Sequence, residues 1–441
     1  MRVLVTERPV EEELKNSGLS EEELKQVTVV MVEEGRHALA LLSAARFDHP
    51  AKKLVMIGVT GTKGKTTTTH MIRAILLAAG KKVGMIGTTG TVIGDVVTPT
   101  LNTTPESYEL HQAFAQMVEA GCEYAVMEVS SQGIKMHRTD GLYFNYAIFT
   151  NISPDHIGPG EHADFEEYLY YKTRLLNMCG IGLVNKDDKH APQIIKAANC
   201  ELYTYSEESK EADFVASDIR YVSQPDFVGT EFHISGKYDM EVRLGIPGLF
   251  NVVNALAAVS VCSFLGLDQA RISHALENIR VNGRMEIVYT SERCTVLVDY
   301  AHNAVSMESL LSTLRDYKPK RLVCVFGCGG NRSKDRRYSM GEIGGKMADL
   351  SIITADNSRY EKVEDIIADI RGSIEKTGGK FIEIPDRREA IRYSILHAQP
   401  GDMVAVIGKG HEDYQEINGV RHHFLDREVI EETVKELGEK A

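Results

Sequence analysis

The chain has 441 residues, of which 43% are hydrophobic, and it carries a formal net charge of −13. This length predicts about two to four domains with ample buried core, and the acidic balance argues against nucleic acid as a partner. The amino terminus lacks the long apolar core of a signal peptide, and no apolar run reaches the length of a membrane span. We therefore expect a cytoplasmic protein with no membrane partner.

Short apolar runs alternate with helix-length segments over most of the first half. The predicted strands cover residues 54–58, 82–86, 124–129, 146–149 and 182–185. Such alternation is typical of an α/β fold with a largely parallel sheet. Residues 212–246 alternate polar and apolar side chains instead, which predicts an antiparallel addition.

A second series of strand-like runs begins near Ile287. Its predicted strands cover residues 295–299, 321–326, 350–354 and 403–407. We therefore predict three parts, with limits at 1–50, 51–282 and 283–441. The first part has two acidic helical stretches and little strand signal, and it is too small for an independent sugar or nucleotide domain.

A glycine-rich turn with lysines lies between the first strand and the helical pattern of residues 71–79. It reads Gly-Val-Thr-Gly-Thr-Lys-Gly-Lys-Thr-Thr-Thr-Thr from residue 58 to residue 69. In such a turn backbone N–H groups bind phosphate oxygens, Lys65 reaches the β- and γ-phosphates, and the Thr66 hydroxyl ligates Mg²⁺. The strict pattern needs glycine where Val59 stands, so a turn capping an ordinary helix is the alternative. We expect a nucleotide triphosphate here.

Two further side chains follow strands whose ends lie at the same sheet edge. Glu128 ends one strand and is a candidate Mg²⁺ ligand, the alternative being a helix-capping or ion-paired carboxylate. His156 follows the next strand and is expected to face the same phosphates, although a single histidine is more often structural. Lys172 lies on a predicted helix and, from its neighbours alone, is interpreted as a surface lysine.

A different class of protein also fits some of these motifs. Residues 155–158 and 185–188 follow the turn in the order of the D-x-x-G and N-K-x-D motifs of a P-loop GTPase. Short motifs recur by chance, and a GTPase-type switch protein leaves the second α/β series unexplained.

The second α/β series has polar clusters directly after its strands, which predict a second cleft. The clusters are residues 283–286, 299–303, 327–332, 356–359 and 408–412.

Taken together, these motifs resemble the Mur ligase family, ATP-dependent enzymes that join an amino acid to a carboxylate in peptidoglycan precursors. The resemblance extends from about residue 27 to about residue 435 and is strongest to the branch that adds the third residue of the peptide. It is carried by residues 61–67, 102–105, 128–131, 149–156, 250–254, 283–286, 299–302 and 408–412. The loop of the family departs from the strict spacing in the same way, which weakens the GTPase alternative.

The resemblance implies an α/β Mur ligase architecture and a reaction. A central P-loop ATPase domain (51–282) would precede a Rossmann-like, amino-acid-binding domain (283–441). ATP would phosphorylate a carboxylate, and an amine would attack the acyl phosphate. The leading substrates are meso-diaminopimelate and UDP-MurNAc-L-Ala-D-Glu, a UDP-muramoyl dipeptide, and the alternative is a paralogue with a non-UDP acceptor. Because residues 1–50 are shorter than the uridine-binding domain of this branch, we expect the UDP-sugar to be held weakly or not at all. We also expect only small-molecule partners and a monomer.

The resemblance also implies roles for individual residues. The catalytic set is Lys65, Glu128, His156 and Lys172. The ATP set is Gly61, Thr62, Lys63, Gly64, Lys65, Thr66, Thr67, Asn254, Arg284 and Asp299. The Mg²⁺ set is Thr66, Glu128, His156 and a carbamylated Lys172. The acceptor set is Asn102, Thr103, Thr104, Ser130 and Arg138. The amino-acid set is Arg332, Asp356, Asn357, Arg359, Gly408 and Glu412, in which the Arg359 guanidinium suits the distal carboxylate of diaminopimelate.

Overall fold

The computed structural model describes residues 2–438, which form two compact units. The first comprises the chain up to residue 215 together with 236–238 and 254–272, and the second comprises 216–235, 239–253 and the chain from 273 onwards. The predicted limits at 50 and 282 do not follow this division and stay predictions. The predicted outer parts include Met1 and 439–441, which lie outside the described residues.

The first unit begins with a small parallel pair of strands, β1 (Arg2–Thr6) and β2 (Val27–Met31). Between them lie α1 (Glu11–Lys15) and α2 (Glu21–Leu24), and α3 (Gly35–Arg46) follows. The two acidic helices are confirmed, but the expectation of little strand is wrong. Both strands are short apolar stretches of the sequence, Arg-Val-Leu-Val-Thr and Val-Thr-Val-Val-Met, and β2 is mostly exposed in the structure.

The main sheet of the first unit is largely parallel, as predicted. Its strands are β3 (Val55–Thr60), β4 (Val83–Gly87), β5 (Gly90–Ile93), β6 (Val96–Thr98), β7 (Tyr124–Glu128), β8 (Phe144–Phe149), β9 (Cys179–Asn185) and β10 (Glu201–Ser206). Their order is β10-β9-β8-β3-β7-β4-β5-β6, and the strands from β10 to β4 are parallel. The central strands are almost continuously apolar because helices cover both faces. Since β3 lies between β7 and β8, their carboxyl ends form one edge.

Helices follow these strands as the alternation predicts. They are α4 (Lys65–Ala78), α5 (Ser107–Glu119), α6 (Ser131–Lys135), α7 (Phe165–Thr173) and α8 (Ala191–Ala197), with 3-10 turns at Pro50–Lys53 and Arg174–Asn177. Helix α4 begins at Lys65, six residues before the predicted helical pattern. The lysine and threonines of the glycine-rich turn therefore form the first helical turn. Aromatic and aliphatic side chains of α5 and α7 pack on the sheet as the core.

Residues 214–277 contain the predicted antiparallel strands and two helices. These elements are β11 (Phe214–Gln224), β12 (Phe227–Gly236), β13 (Met240–Leu244), α9 (Leu249–Phe264) and α10 (Gln269–Glu277). Strands β12 and β13 are antiparallel, which confirms the prediction. Helix α9 is strongly apolar and begins directly after Gly248.

The second unit contains its own mostly parallel sheet. Its strands are β14 (Glu286–Thr290), β15 (Cys294–Asp299), β16 (Arg321–Phe326), β17 (Leu350–Ile353), β18 (Phe381–Glu383) and β19 (Asp402–Ile407), in the order β14-β15-β19-β16-β17-β18. Only β14 in this sheet is antiparallel to its neighbour. Four of the five predicted polar clusters follow the carboxyl ends of β15, β16, β17 and β19, as expected for a Rossmann-like unit, whereas residues 283–286 lead into β14 and follow no strand of this sheet.

The remaining elements of the second unit surround this sheet. They are α11 (Ala304–Asp316), α12 (Lys334–Met347), α13 (Val363–Thr377), α14 (Arg387–Leu396), β20 (Tyr414–Ile417), β21 (Val420–His423) and α15 (Asp426–Glu436). None of the helices within residues 2–438 is both long enough and apolar enough to cross a bilayer.

Candidate active site

The loop between β3 and α4 requires glycine at two positions. Gly61 and Gly64 have φ values of +146° and +84°. A Cβ on Gly64 would lie 3.3 Å from Asn254 Cγ and closer still to its Oδ1, and one on Gly61 would overlap the Thr150 hydroxyl. Backbone that must approach its neighbours this closely tolerates no side chain. Asn254, predicted to contact ATP, is therefore buried against the loop.

Residues directly after β8 fix the loop. Asn151 accepts hydrogen bonds from the Thr62 and Lys63 N–H groups, both at 2.9 Å, through its carbonyl and side-chain oxygens respectively. The Thr150 hydroxyl donates to the Lys63 carbonyl at 2.6 Å. Our sequence-based site residues did not include Thr150 and Asn151, although their position after a strand was a signal. Thr150 and Asn151 therefore anchor the loop backbone to the segment that follows β8.

Two lysines converge on one carbonyl of this loop. Lys65 Nζ donates to Gly61 O at 2.9 Å and to Thr62 O at 3.2 Å, and Lys172 Nζ donates to Gly61 O at 2.7 Å. Lys172 is only 2% exposed, so the interpretation as a surface lysine is wrong. Helix α7 turns this side chain inward beneath the loop. Burial, and next the positive charge of Lys65, hold the pKa of Lys172 well below its usual value.

Glu128 lies under the start of α4 with hydroxyl groups around it. The Thr66 hydroxyl donates to Glu128 Oε1 at 2.9 Å, and Thr88 donates to the same oxygen through its N–H at 2.9 Å. The carboxylate is 1% exposed. Its partners are thus hydroxyl and N–H groups rather than the cation or helix cap of the alternative interpretation. A carboxylate and a hydroxyl side by side are oxygen ligands of the kind that Mg²⁺ takes.

His156 lies further out on the same edge. Its φ is +53°, its side chain is 58% exposed, and Nδ1 is 3.0 Å from Glu161 Oε1. The ring is also 6.2 Å from that of Tyr168, whose hydroxyl is 3.1 Å from the Thr62 hydroxyl. The histidine therefore borders the loop but is paired with Glu161. That His156 and Glu128 face the same phosphates stays a prediction.

The predicted acceptor residues join the Glu128 cluster. Thr104 is buried; its hydroxyl donates to Glu128 O at 3.0 Å and accepts from the Ser130 N–H at 3.0 Å. The Arg138 guanidinium donates to Thr104 O at 3.1 Å, and the Thr103 hydroxyl is 3.1 Å from that of Thr88. Asn102 is partly buried in the same segment. Both the backbone and the side chain of Glu128 thus connect the loop with these residues.

In the second unit the two predicted nucleotide-binding residues are close to each other at the end of β15. Asp299 accepts hydrogen bonds from the Met285 and Ala301 N–H groups, both at 2.8 Å. Burial raises the pKa of Asp299 against the opposing effect of these bonds. The Arg284 guanidinium lies 5.0 Å from the centre of the Tyr300 ring.

The predicted amino-acid residues converge at the ends of β17 and β19. Asn357 Nδ2 donates to Glu412 Oε2 at 2.9 Å, and Lys409, which is 0% exposed, lies 3.3 Å from the same oxygen. A Cβ on Gly408 would be 2.6 Å from Asp356 Oδ2, and φ there is +114°. Lys409 was not among the predicted site residues, because an isolated lysine in a turn gives no sign of burial.

Arg359 lies beside this group in a left-handed backbone conformation, with φ at +51°. Its Nη1 donates to Gly330 O at 2.7 Å, and Nε is 3.7 Å from Glu416 Oε2. Arg332 is exposed, and its Cγ and Arg359 Nη1 both lie within 3.8 Å of a Cβ built on Gly329. The structure thus brings both guanidinium side chains to the same loop.

A buried ion pair supports this loop cluster from below. Arg387 donates to both carboxylate oxygens of Asp426 at 2.7 Å, and both residues are 0% exposed at their side chains. The same guanidinium donates to Ala355 O at 3.2 Å and Ile407 O at 3.0 Å, directly before Asp356 and Gly408. This pair was not predicted from the sequence, since partners 39 positions apart give no local signal.

The residues that suggested a GTPase have other contacts. Asp188 Oδ2 accepts from the Ile152 N–H at 2.6 Å, and Asp187 Oδ2 accepts from the Glu207 N–H at 2.8 Å. These carboxylates tie together the loops after β8 and β10. They are thus engaged in the fold rather than presented to a guanine base.

Comparisons with known proteins agree with this arrangement. The family profile for the Mur ligase middle domain matches residues 59–262, and that for the Mur ligase glutamate ligase domain matches residues 283–410. The chain is 40% identical over 439 residues to a UDP-N-acetylmuramoyl-L-alanyl-D-glutamate--2,6-diaminopimelate ligase of Caldanaerobacter subterraneus, covering 97% of this chain and 89% of that protein. It is also 40% identical to the Clostridium botulinum protein of the same name, covering 94% and 84%.

Solved structures show the same fold. A structure of UDP-N-acetylmuramoyl-L-alanyl-D-glutamate--2,6-diaminopimelate ligase matches with a TM-score of 0.75 and 31% identity, covering 99% of this chain and 87% of that one. The Mycobacterium tuberculosis folylpolyglutamate synthase complexed with ADP and AMPPCP matches with a TM-score of 0.64 and 17% identity, covering 84% and 92%, and shares the fold alone. Both halves of the chain match in sequence and in structure. The chain therefore belongs to the Mur ligase family.

Proposed function

We propose that this protein is an ATP-dependent, ADP-forming amide ligase that joins meso-diaminopimelate to UDP-N-acetylmuramoyl-L-alanyl-D-glutamate during peptidoglycan precursor synthesis. One observation carries the proposal: the loop lysines, the Thr66–Glu128 pair and the Thr104–Ser130–Arg138 cluster form one connected group at the edge of the first sheet. The names of relatives that share 40% identity support the choice of substrates. A cytoplasmic location and a monomeric state are part of the proposal.

The loop and its lysine suit the phosphates of ATP. Backbone N–H groups at the start of α4 and the Lys65 ammonium would bind the β- and γ-phosphates. Thr66 and Glu128 have the oxygen atoms that Mg²⁺ prefers, and His156 is proposed as a further ligand. Mg²⁺, when bound, would offset the charge between the nucleotide and the acceptor carboxylate. Gly61, Thr62, Lys63, Gly64, Thr67, Asn254, Arg284 and Asp299 complete the proposed nucleotide set.

Lys172 fits the role of a carbamylated lysine for a physical reason. Only a neutral amine has the lone pair that adds to CO₂, and burial beside Lys65 favours the neutral form. The carbamate that results is an anion, and the ammonium of Lys65 would attract it instead of repelling it. Modification therefore replaces a neutral amine that shares Gly61 O with Lys65 by an anion that the Lys65 ammonium attracts.

The acceptor would lie along the cluster that adjoins Glu128. The Arg138 guanidinium and the hydroxyls of Thr103, Thr104 and Ser130 suit a carboxylate and a peptide group, and Asn102 is proposed beside them. The γ-phosphoryl group passes to a carboxylate oxygen, and ADP leaves. The amine then attacks the carbonyl carbon, phosphate leaves, and the new amide forms as the amine loses a proton.

The amino acid would bind where β17 and β19 end. Diaminopimelate has a carboxylate and an ammonium at each end, so it needs cationic and anionic partners. Arg359 and Arg332 suit the carboxylate, while Asp356 and Glu412 suit the ammonium, with Asn357 and the close backbone at Gly408 between them. L-Lysine lacks the second carboxylate, so a site with Arg359 favours diaminopimelate.

Phosphate release tests the proposal directly. The protein is assayed with ATP, Mg²⁺ and the UDP-muramoyl dipeptide, together with meso-diaminopimelate, with L-lysine or with neither amine. We expect rapid release only with diaminopimelate. Release with diaminopimelate on a non-UDP acceptor alone would favour the paralogue, and GTP hydrolysis without any acceptor would favour the switch protein.

Arg359 provides the second test. Arg359→Ala should raise the KM for diaminopimelate about 10- to 150-fold, the equivalent of about 1.5–3 kcal/mol for a charged hydrogen bond, while the KM for ATP stays unchanged. Arg359→Lys should recover little, because an ammonium does not form two parallel bonds to a carboxylate. Arg371→Ala, at an exposed position of α13, is the control. An unchanged KM in Arg359→Ala would exclude this residue from the amino-acid site.

A further inference from the structure

A histidine–aspartate cluster lies in the first unit outside the proposed catalytic set. His37 Nδ1, on α3, is 2.6 Å from Asp140 Oδ2, and His137 Nδ1 is 2.8 Å from the same oxygen. One ligand atom from each of the three residues lies within 4.8 Å of the others. His37 and Asp140 are 103 positions apart in the chain, so folding rather than sequence proximity brings them together.

The backbone conformation of His137 and the direction of the two imidazole rings both favour a ligand at this cluster. His137 has φ at +56°, a left-handed conformation that costs free energy for a residue with a Cβ and that directs its ring to Asp140. The Asp140 carboxylate has two imidazole nitrogens, one from each histidine, directed at the same oxygen.

The chemistry of these three groups is that of a transition-metal site. Two imidazole nitrogens and a carboxylate oxygen bind Zn²⁺ at about 2.0–2.2 Å, which places tetrahedral ligand atoms about 3.4 Å apart. The observed N–O separations of 2.6 and 2.8 Å need to open by less than about 1 Å. Mg²⁺ prefers oxygen ligands and is disfavoured here.

We propose that His37, His137 and Asp140 form a binding site for Zn²⁺ or another first-row transition-metal dication, with water completing the coordination. The ion takes the place of the Nδ1 protons that contact Asp140, and each neutral imidazole then carries its proton on Nε2. Asp140 and His137 are less exposed than His37, so the ion would enter from the side of α3.

Such an ion would fix α3 against the segment that carries Arg138. Arg36, next to His37, is 3.2 Å from Glu106, and Arg138 is 2.7 Å from the other oxygen of the same carboxylate. The ion would thus add a second link parallel to the Arg36–Glu106–Arg138 contact. Any effect on acceptor binding rests on the proposed function, whereas metal binding itself does not.

Co²⁺ is a suitable probe because its visible absorption reports coordination by nitrogen. Full-length protein is treated with chelator, supplied with excess Mg²⁺ to occupy any magnesium site, and titrated with Co²⁺. We expect one equivalent to bind with visible absorption and to be displaced by Zn²⁺. His37→Ala and Asp140→Asn should each weaken binding at least tenfold, whereas His274→Ala, at an exposed position of α10, should bind like the parent protein.

Two results would overturn the site. One is no visible absorption with the parent protein, and the other is equal Co²⁺ affinity in His37→Ala. Circular dichroism with chelator present checks that each variant is folded; if His37→Ala is not, His37→Gln removes the imidazole and keeps a polar side chain. The readout needs no turnover, so a failure of the ligase assay leaves it unaffected.

Discussion

Gly64 provides a direct test of how tightly the phosphate loop is built. Alanine at this position has two costs: a left-handed backbone conformation, about 1–2 kcal/mol for a residue with a Cβ, and overlap with Asn254, about 1–3 kcal/mol in a well-packed interior. Gly64→Ala should therefore destabilise the first unit by about 2–5 kcal/mol. Because the loop must move, ATP binding should weaken as well.

Gly80, at the other end of α4, separates the two costs. Its φ is +75°, and a Cβ there would meet no described atom within 4 Å. Gly80→Ala should therefore show the backbone cost alone, and the two variants should differ by about 1–3 kcal/mol, at roughly 2–4 °C in melting temperature per kcal/mol. Replacing Asn254 by alanine in the Gly64→Ala background should restore part of that difference.

Thermal unfolding with and without Mg²⁺ and ATP measures both effects. We expect nucleotide to raise the melting temperature of the parent protein and of Gly80→Ala, but not that of Gly64→Ala. Equal melting temperatures for the two variants, with equal shifts by nucleotide, would refute the argument that loop and Asn254 are in close contact.

Three further predictions concern buried ionisable groups. Burial lowers the pKa of His111 to about 4 in the folded protein, so between about pH 6.5 and 4 the unfolded chain binds one proton more than the folded chain. The free energy of unfolding should therefore fall by about 1.4 kcal/mol per pH unit on acidification through this range. Melting curves of His111→Phe should lack that slope. Lys172→Ala should abolish turnover, with partial recovery on adding short carboxylates, and a carbamate signal from ¹³C-bicarbonate should be absent; unchanged turnover would remove the residue from the site. Arg387→Met should cost about 3–5 kcal/mol by leaving Asp426 buried and unpaired, and pairing it with Asp426→Leu should recover much of the loss in thermal unfolding; equal losses in the single and double variants would contradict this.

The strand–helix alternation, the glycine-rich loop and the polar strand ends were predictable because each is a local pattern. A short apolar run bounded by turn residues and rich in β-branched side chains favours a buried strand, and parallel strands bring their carboxyl ends to one edge. Glu128 and Thr66 could therefore be placed together before the structure was known. The short strands β1 and β2 escaped prediction although their sequences, Arg-Val-Leu-Val-Thr and Val-Thr-Val-Val-Met, are rich in the β-branched residues that favour strands.

By itself, then, the sequence determined the α/β class, the order of most elements and which strand ends carry polar clusters, since periodicity and turn residues act over a few positions. Only the tertiary structure decided which ionisable side chains are buried and which of them form ion pairs. Lys172 lies against Gly61 across 111 positions, and Arg387 pairs with Asp426 under two strand ends. Burial and ion pairing depend on which distant segments pack together, and the free energy of a charge is set by that packing rather than by its neighbours in the chain.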